Sequence, residues 1–358
     1  MNKENPTILI AGYEIGGQMQ LLAESFRKRW IHATSVAYNI DFRGYQNDIN
    51  LSGKGIKGSF KRLFFFIFAI IHYDIFHFFW GVSLLSIWRF HLIDLPILKL
   101  FNKKIVVHFR GLDVVDIKHF DYLRRVARGE NITPPPMSRP DQQKKLKKWI
   151  KYADEILVSE PDLFDVVPKG RISPQVINMK YWKPVKKVSR KEIFRIVHAP
   201  SSRRKKGTDF IEESIQKLRE EGYNIELLMA ENLPFHRIKD IYAMADIGID
   251  QVLYGWHGKV SVELMAMGIP VLCYINPNYA KHRLDLPIIN CNIQNLADII
   301  RDCIDGKYNL EKIGSESHQY AYKYHDLESI TDDLLEVYNL SIKTRVQTDI
   351  IDIENKKW

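Results

Sequence analysis

Short runs of β-branched and aromatic residues recur along this chain, separated by longer amphipathic stretches. That alternation restricts the fold more than any other feature, because strand–helix units of this kind build parallel sheets covered by helices. A first series runs through Thr7 to Ala11, Ala33 to Tyr38, Ile75 to Phe79, Ile105 to Phe109 and Glu155 to Ser159, with helical pattern between them, notably Gln18 to Trp30 and Gln142 to Tyr152. A second begins at Phe194 to Ala199 and continues with Ile225 to Met229, Ile247 to Asp250, Pro270 to Tyr274 and Ile288 to Cys291. The class is therefore α/β. Because 358 residues exceed one comfortable core, two Rossmann-like halves are expected. Asn178 to Lys191, lysine-rich and holding Pro184, reads as the connection, which divides the chain into 1–185, 186–340 and a polar tail at 341–358.

With 46% hydrophobic and 27% charged residues the chain has the composition of a folded globular protein. Cys273, Cys291 and Cys303 suit neither a disulfide framework nor a zinc site, which fits a reducing compartment. The opening Met1 to Gly12 lacks the basic start, apolar stretch and cleavage site of a signal peptide, so a cytoplasmic location is expected. A net charge of +9 favours an anionic partner. Nucleic acid is not the expected one, since the basic residues are dispersed and no helix-turn-helix, RNA-recognition or zinc pattern is present.

Chemistry concentrates in the second half. His198-Ala199-Pro200-Ser201-Ser202-Arg203-Arg204-Lys205-Lys206-Gly207 follows a strand and opens a helix. Glycine at a helix N-terminus lets backbone N–H groups approach an anion, and cations beside it neutralise phosphate. Downstream, Asp246 to Val271 reads strand, glycine-containing loop, helix and next strand, and ligands of open α/β sheets bind at such strand ends. Gly258, Lys259, Val260 and Ser261 can offer N–H groups to phosphate. Glu263, within the helix, can accept from a ribose diol.

These residues resemble glycosyltransferase family 4, the large retaining group of GT-B fold, over nearly the whole chain and best over Ile196 to Tyr274. The resemblance implies two Rossmann-like domains facing across a cleft and transfer of a sugar from a nucleotide-sugar donor to a glycan or lipid-linked acceptor. Cell-surface polysaccharide or glycoconjugate synthesis is the implied setting. No cofactor and no metal are expected, and no Asp-x-Asp motif occurs. In that family an Arg and a Lys-Gly hold the donor diphosphate, matched here by Arg203 and Lys206-Gly207, and a Glu-x7-Glu signature follows. Its second Glu matches Glu263, but Gly255 stands where the first should be. The missing sugar-facing carboxylate leaves three readings: replacement by Asp250, Gln251 or His257; binding without catalysis; or a sugar held by N–H groups of the loop at Gly255 and Gly258. A sugar-nucleotide epimerase of the same fold and a non-catalytic sugar-nucleotide-binding protein are the alternatives to a transferase. The resemblance leaves the base unidentified, though position points to Met229 to Leu233 for its recognition.

In the first half, Gly16-Gly17 closes a strand-to-helix turn similar to the N-terminal glycine loop of these enzymes, which brings donor phosphate and acceptor close to backbone. Val106 to Val114 occupies the place of a His-Gly-x-Asp motif, with Arg110 at the usual His position and His108 two residues earlier. Arg110 would stabilise the departing diphosphate and His108 would meet a sugar hydroxyl, while Asp113 would buttress the loop. The plain alternative for His108 is a satisfied strand histidine.

Lys54, Lys57, Lys61 and Arg62 accompany an aromatic run from Phe60 to Ile71 that is too short to span a bilayer. Two uses suit it, a helix buried beside the sheet or shallow insertion at an anionic membrane surface, with Lys144 to Lys151 as a second basic face. The latter would place the protein peripherally on the inner face of the membrane. Asp121 to Pro140, holding Arg124, Arg125, Arg128 and three consecutive prolines, reads as an irregular insertion over the acceptor.

Overall fold

The structure is a computed structural model, and it describes residues 6–40, 44–53, 55–85, 91–185 and 192–340. Lys54, the stretch 186–191 of the expected connection and the expected tail 341–358 lie outside the described residues.

Among the described residues the first of two sheets has seven strands: β1 (Ile8–Gly12), β2 (Ala33–Ala37), β3 (Ile49–Asn50), β4 (Ile75–Phe79), β5 (Lys104–Phe109), β6 (Glu155–Val158) and β7 (Arg171–Ile172). They lie parallel in the order β3-β2-β1-β4-β5-β6-β7. All five residues of β1 are buried, as are all five of β4, His77 included, so these central strands show no alternation of buried and exposed residues. The second sheet has five parallel strands, β8 (Phe194–His198), β9 (Ile225–Met229), β10 (Ile247–Ile249), β11 (Val271–Cys273) and β12 (Ile289–Asn290), in the order β12-β11-β10-β8-β9. Both orders fold outward from a central strand, which leaves a crevice at the C-terminal strand ends.

Three sequence expectations change. Met179 and Trp182, inside the expected connection, are buried in the second half's core, and Trp182 stacks on Tyr242 at 5.8 Å. The chain crosses between the halves earlier, at Ile177, whose N–H donates to His325 O (2.9 Å) and whose carbonyl accepts from Leu327 N–H (3.0 Å). It crosses back at that same point. The last helix, Leu327–Val337, assigned by chain order to the second half, packs on the first, burying Leu327, Ile330 and Leu334 with Ile8, Met19 and Phe26. Its buried apolar face joins the same core as the helix Gln18–Lys28 and β1, a long-range pairing that chain order does not reveal. Part of the expected irregular insertion is helical as well: Ile117–Ala127 forms a helix capped by Asp116, which accepts from Lys118 N–H, and irregular backbone occupies only the stretch between it and the helix Pro140–Tyr152.

Candidate functional site

Loops at the C-terminal ends of β1, β5 and β6 face those following β8 and β10. Phe120 stacks on Tyr254 at 4.5 Å, Tyr279 donates to Asp165 (2.5 Å), and Lys259 reaches the first glycine loop.

The second half's wall is built around His198. Fully buried at the end of β8, it donates from Nδ1 to Ile249 O (2.8 Å) and accepts at Nε2 from the Thr208 hydroxyl (2.8 Å). Burial pushes this histidine down to about 4, so it is neutral and can play both roles. It ties two strand ends to the start of the helix Thr208–Glu220. Gly207 precedes that helix at φ 75°, and a Cβ there would lie 2.6 Å from Val252 Cγ2, so the turn demands glycine twice over.

Lys206 Nζ lies 2.6 Å from Asp250 Oδ1, a carboxylate with 1% exposure. Asp250 Oδ2 accepts from the Gly258 N–H (2.6 Å) and from the Ser261 hydroxyl (2.7 Å). Burial alone would raise the Asp250 carboxyl, but the Lys206 charge and these donors outweigh it and hold the group below the usual carboxylate range. Asp250 thus fixes Lys206 and the loop together. A Cβ on Gly258 would stand 2.9 Å from Lys206 Nζ, so a side chain there would require the ammonium to shift.

Two of the three groups proposed to replace the missing carboxylate are therefore engaged elsewhere. Asp250 carries three contacts, and Gln251 Nε2 donates to Trp256 O, pinning the loop from within. His257 is buried among Trp256 and His325, and burial lowers it to about 4, leaving a neutral ring. Gly255 itself adopts φ 80°, and a Cβ would meet Asn276 Cβ at 3.0 Å, so the loop is shaped to exclude a side chain at that position. The Gly258 N–H is likewise not free for phosphate. The helix Lys259–Ala266 begins just after it, and the first-turn N–H groups of such a helix have no intrahelical acceptors.

Lys259 also reaches from the second half to the first. Its ammonium donates to Gly16 O (2.5 Å) and to Tyr45 Oη (3.2 Å), and lies 3.3 Å from Glu263 Oε1. Gly16 and Gly17, at φ 68° and 75°, accommodate this approach: a Cβ on Gly16 would meet Lys259 Nζ at 2.6 Å, and one on Gly17 would meet the Tyr45 ring at 2.7 Å. Glu263 lines a cavity of about 60 Å³ with Ser201, Ala230, Asn232, Leu233, Tyr242 and Val260, so the carboxylate expected at a ribose and the segment expected at a base share one recess.

Arg203 departs from expectation. It turns outward, half exposed, to Glu231 (3.0 Å) and Glu212, because those carboxylates lie nearer than any site by Lys206. Arg124 and Arg128 of the first half bond Asp209 and Glu213 of the second, with Arg124 Nη1 2.6 Å from Asp209 Oδ1 and Arg128 Nη2 2.6 Å from Glu213 Oε1. These basic side chains close one end of the cleft.

In the first half, His108 is buried within β5, its Nε2 donating to Ser173 O (3.0 Å) and its ring stacked near His77. Burial and the Arg110 charge keep it neutral, and its Nδ1 is buried without a hydrogen-bond partner among the described residues, so it is not a fully satisfied strand histidine. Arg110 approaches Gln18 Oε1 at 3.3 Å and lies over the Phe79 ring. Asp113 accepts from the backbone N–H of Arg110 (3.1 Å) and Gly111 (2.8 Å), buttressing the loop as expected. Glu160 and Asp162, just after β6, form an acidic pair beside this group that no motif announces. Among the described residues no group of three His, Cys, Asp or Glu side chains comes together to hold a metal ion, and no helix is long and apolar enough to cross a membrane.

No family model and no curated protein matches the sequence. Solved structures do match. A sucrose-phosphate synthase from Thermosynechococcus elongatus superposes with a TM-score of 0.64 at 14% identity, covering 92% of this chain and 98% of that one. HepE from Anabaena, in complex with UDP-glucose, gives 0.61 at 13% identity over 94% and 100%. The catalytic domain of starch synthase IV from Arabidopsis thaliana, bound to ADP and acarbose, gives 0.59 at 10% identity over 94% and 99%. The chain has the fold of the GT-B glycosyltransferases.

Proposed function

We propose that this protein is a retaining glycosyltransferase that moves a sugar from a nucleotide-sugar donor to a glycan or lipid-linked acceptor, in cell-surface polysaccharide or glycoconjugate synthesis. The observation that carries the reading is the convergence of Lys206, Lys259 and the first-turn N–H groups of the helix Lys259–Ala266 beside the Glu263 recess, between the two halves. In this reading base and ribose occupy the recess, and the ribose diol takes Glu263 in place of Lys259. Freed from Glu263, Lys259 joins Lys206 on the diphosphate. The bond from the anomeric carbon to the β-phosphate oxygen breaks with its electron pair leaving on phosphate, where the two ammonium groups and helix N–H groups stabilise the charge. The acceptor oxygen bonds the same face of that carbon, and its proton passes to a departing phosphate oxygen. No side-chain nucleophile and no metal enter this scheme.

The acceptor side of the proposal rests on the helix Gly55–His72. Phe60, Phe64, Ile67, Phe68 and Ile71 are exposed at helical spacing along one face, while Phe66 and Ala69 are buried on the other. An apolar stripe of this kind, with exposed Lys61 on the same helix, suits shallow insertion at a membrane surface and favours a lipid-linked acceptor on the inner leaflet. Arg62 takes no part, being folded over the Tyr38 ring.

The test incubates purified protein with UDP-, GDP-, ADP- and dTDP-sugars and candidate acceptors, following nucleotide release and the anomeric configuration of the product. Release with retained configuration is expected. Epimer formation without release identifies an epimerase, and binding without turnover across acceptors identifies a sensor.

A further inference from the structure

The Gly255 loop lacks a carboxylate, and a φ of 80° with Asn276 Cβ 3.0 Å from an added Cβ disfavours a side chain there, yet a carboxylate stands opposite it. Glu160 follows β6 directly, at the same end of the first sheet as Gly12 and Arg110. Together with Trp256 and His257, from the loop itself, and Gln175, Arg283 and His325, it lines a small cavity between the halves, of about 20 Å³. That is room for a single water, so the ligand-free cleft is nearly shut at this point.

The side chain is held on one side only. Gln175 Nε2 donates to Glu160 Oε1 at 2.9 Å, and among the described residues no donor reaches Oε2. Its electrostatic neighbours belong to the donor site, Arg110 on its own half and Lys206 on the other. Burial and the adjacent Asp162 carboxylate push Glu160 above the usual range, and those two cations only partly offset them. Glu160 is only partly buried and its Oε2 is not among the buried atoms without a partner, so this oxygen keeps access to the cleft, where it can accept from a ligand hydroxyl.

We propose that Glu160, presented across the cleft from the first half, supplies the sugar-facing carboxylate that the Gly255 loop lacks, exchanging hydrogen bonds with hydroxyls of the transferred glycosyl unit. The inference rests on the nucleotide-sugar reading above and assigns sugar selectivity to a residue of the opposite domain. Selectivity is then coupled to closure, because the sugar is read only when the halves meet around it.

Calorimetric titration of the full chain with UDP, GDP and ADP, each compared with its glucosyl or mannosyl ester, tests this for wild type and for Glu160→Gln. The variant keeps an acceptor for Gln175, so the loop stays in place. Its affinity for the bare nucleoside diphosphate should remain within about two-fold of wild type, while the added affinity due to the sugar falls about 10- to 100-fold, the worth of a charge-assisted hydrogen bond. Glu160→Asp, which draws the carboxylate back, should shift the preferred sugar. An unchanged sugar increment in Glu160→Gln, with nucleotide still bound, overturns this inference alone. Failure of the wild type to bind any of the nucleotides overturns the functional reading and this inference together.

Discussion

Asp250 holds the candidate site together, and Asp250→Asn tests that directly. In the wild type a carboxylate with 1% exposure faces the Lys206 ammonium at 2.6 Å and accepts from Gly258 N–H and Ser261 Oγ. The amide keeps the shape but turns an uncharged group, and in one orientation its own donor, toward Lys206. Breaking a buried pair by removing one partner costs about 3–5 kcal/mol, because the other charge stays buried without compensation. At about 2–4 °C per kcal/mol for a unit of this size, thermal unfolding should fall by about 6–20 °C. Lys206→Met should also destabilise, and the double variant should cost less than the two singles added, since it removes the ion pair as a unit. The effect also has a pH signature. Asp250 is held below its unfolded value, so its contribution is present above about pH 4, where an unfolded aspartate titrates, and is lost as pH falls through the lower folded value. The gap between wild type and Asp250→Asn should therefore narrow in acid. A shift under about 2 °C, or strictly additive singles, would refute the argument that this pair organises the loop.

Three further outcomes are expected. Lys259→Met should weaken UDP binding about 10- to 100-fold by calorimetry, whereas Arg203→Ala, already turned to Glu212 and Glu231, should change it less than about three-fold; the reverse order would show that the phosphate cations are misassigned. Phe64→Ser with Ile71→Ser should abolish co-sedimentation with anionic phosphatidylglycerol vesicles without lowering thermal stability, and equal binding by wild type and variant would remove the helix Gly55–His72 as the contact. Asp209→Ala cuts the bonds from Arg124 and Arg128 across the cleft and should increase the radius of gyration in scattering at low salt, with the difference from wild type fading at about 1 M salt; no difference at low salt would mean that these partly exposed pairs do not hold the halves.

The sequence alone determined the two series of strands and the place of the glycine loops of the candidate site. Parallel strands are buried on both faces, so Ile8–Gly12, Ile75–Phe79 and Phe194–His198 carry their identity in local composition, and Gly207 and Gly258 signal sites of close approach. The two-residue edge strands Ile49–Asn50 and Arg171–Ile172 carry no such pattern, since so short a pairing imposes none. Trp182 read as part of a connection because its partner Tyr242 is sixty residues away. The return of Leu327–Val337 to the first sheet depends on which of two similar cores its apolar face fits. Only the tertiary structure decided the fate of the polar and charged groups. Asp250 and Gln251 were candidates for a sugar, and folding bound them to Lys206 and Trp256 O; Arg203 was a candidate for phosphate, and two nearer carboxylates took it. A chain specifies burial locally, through the spacing of apolar residues, but which charge meets which is settled by distances of a few ångströms between segments far apart in sequence. Glu160 came to face the Gly255 loop in that way, from the other half of the chain.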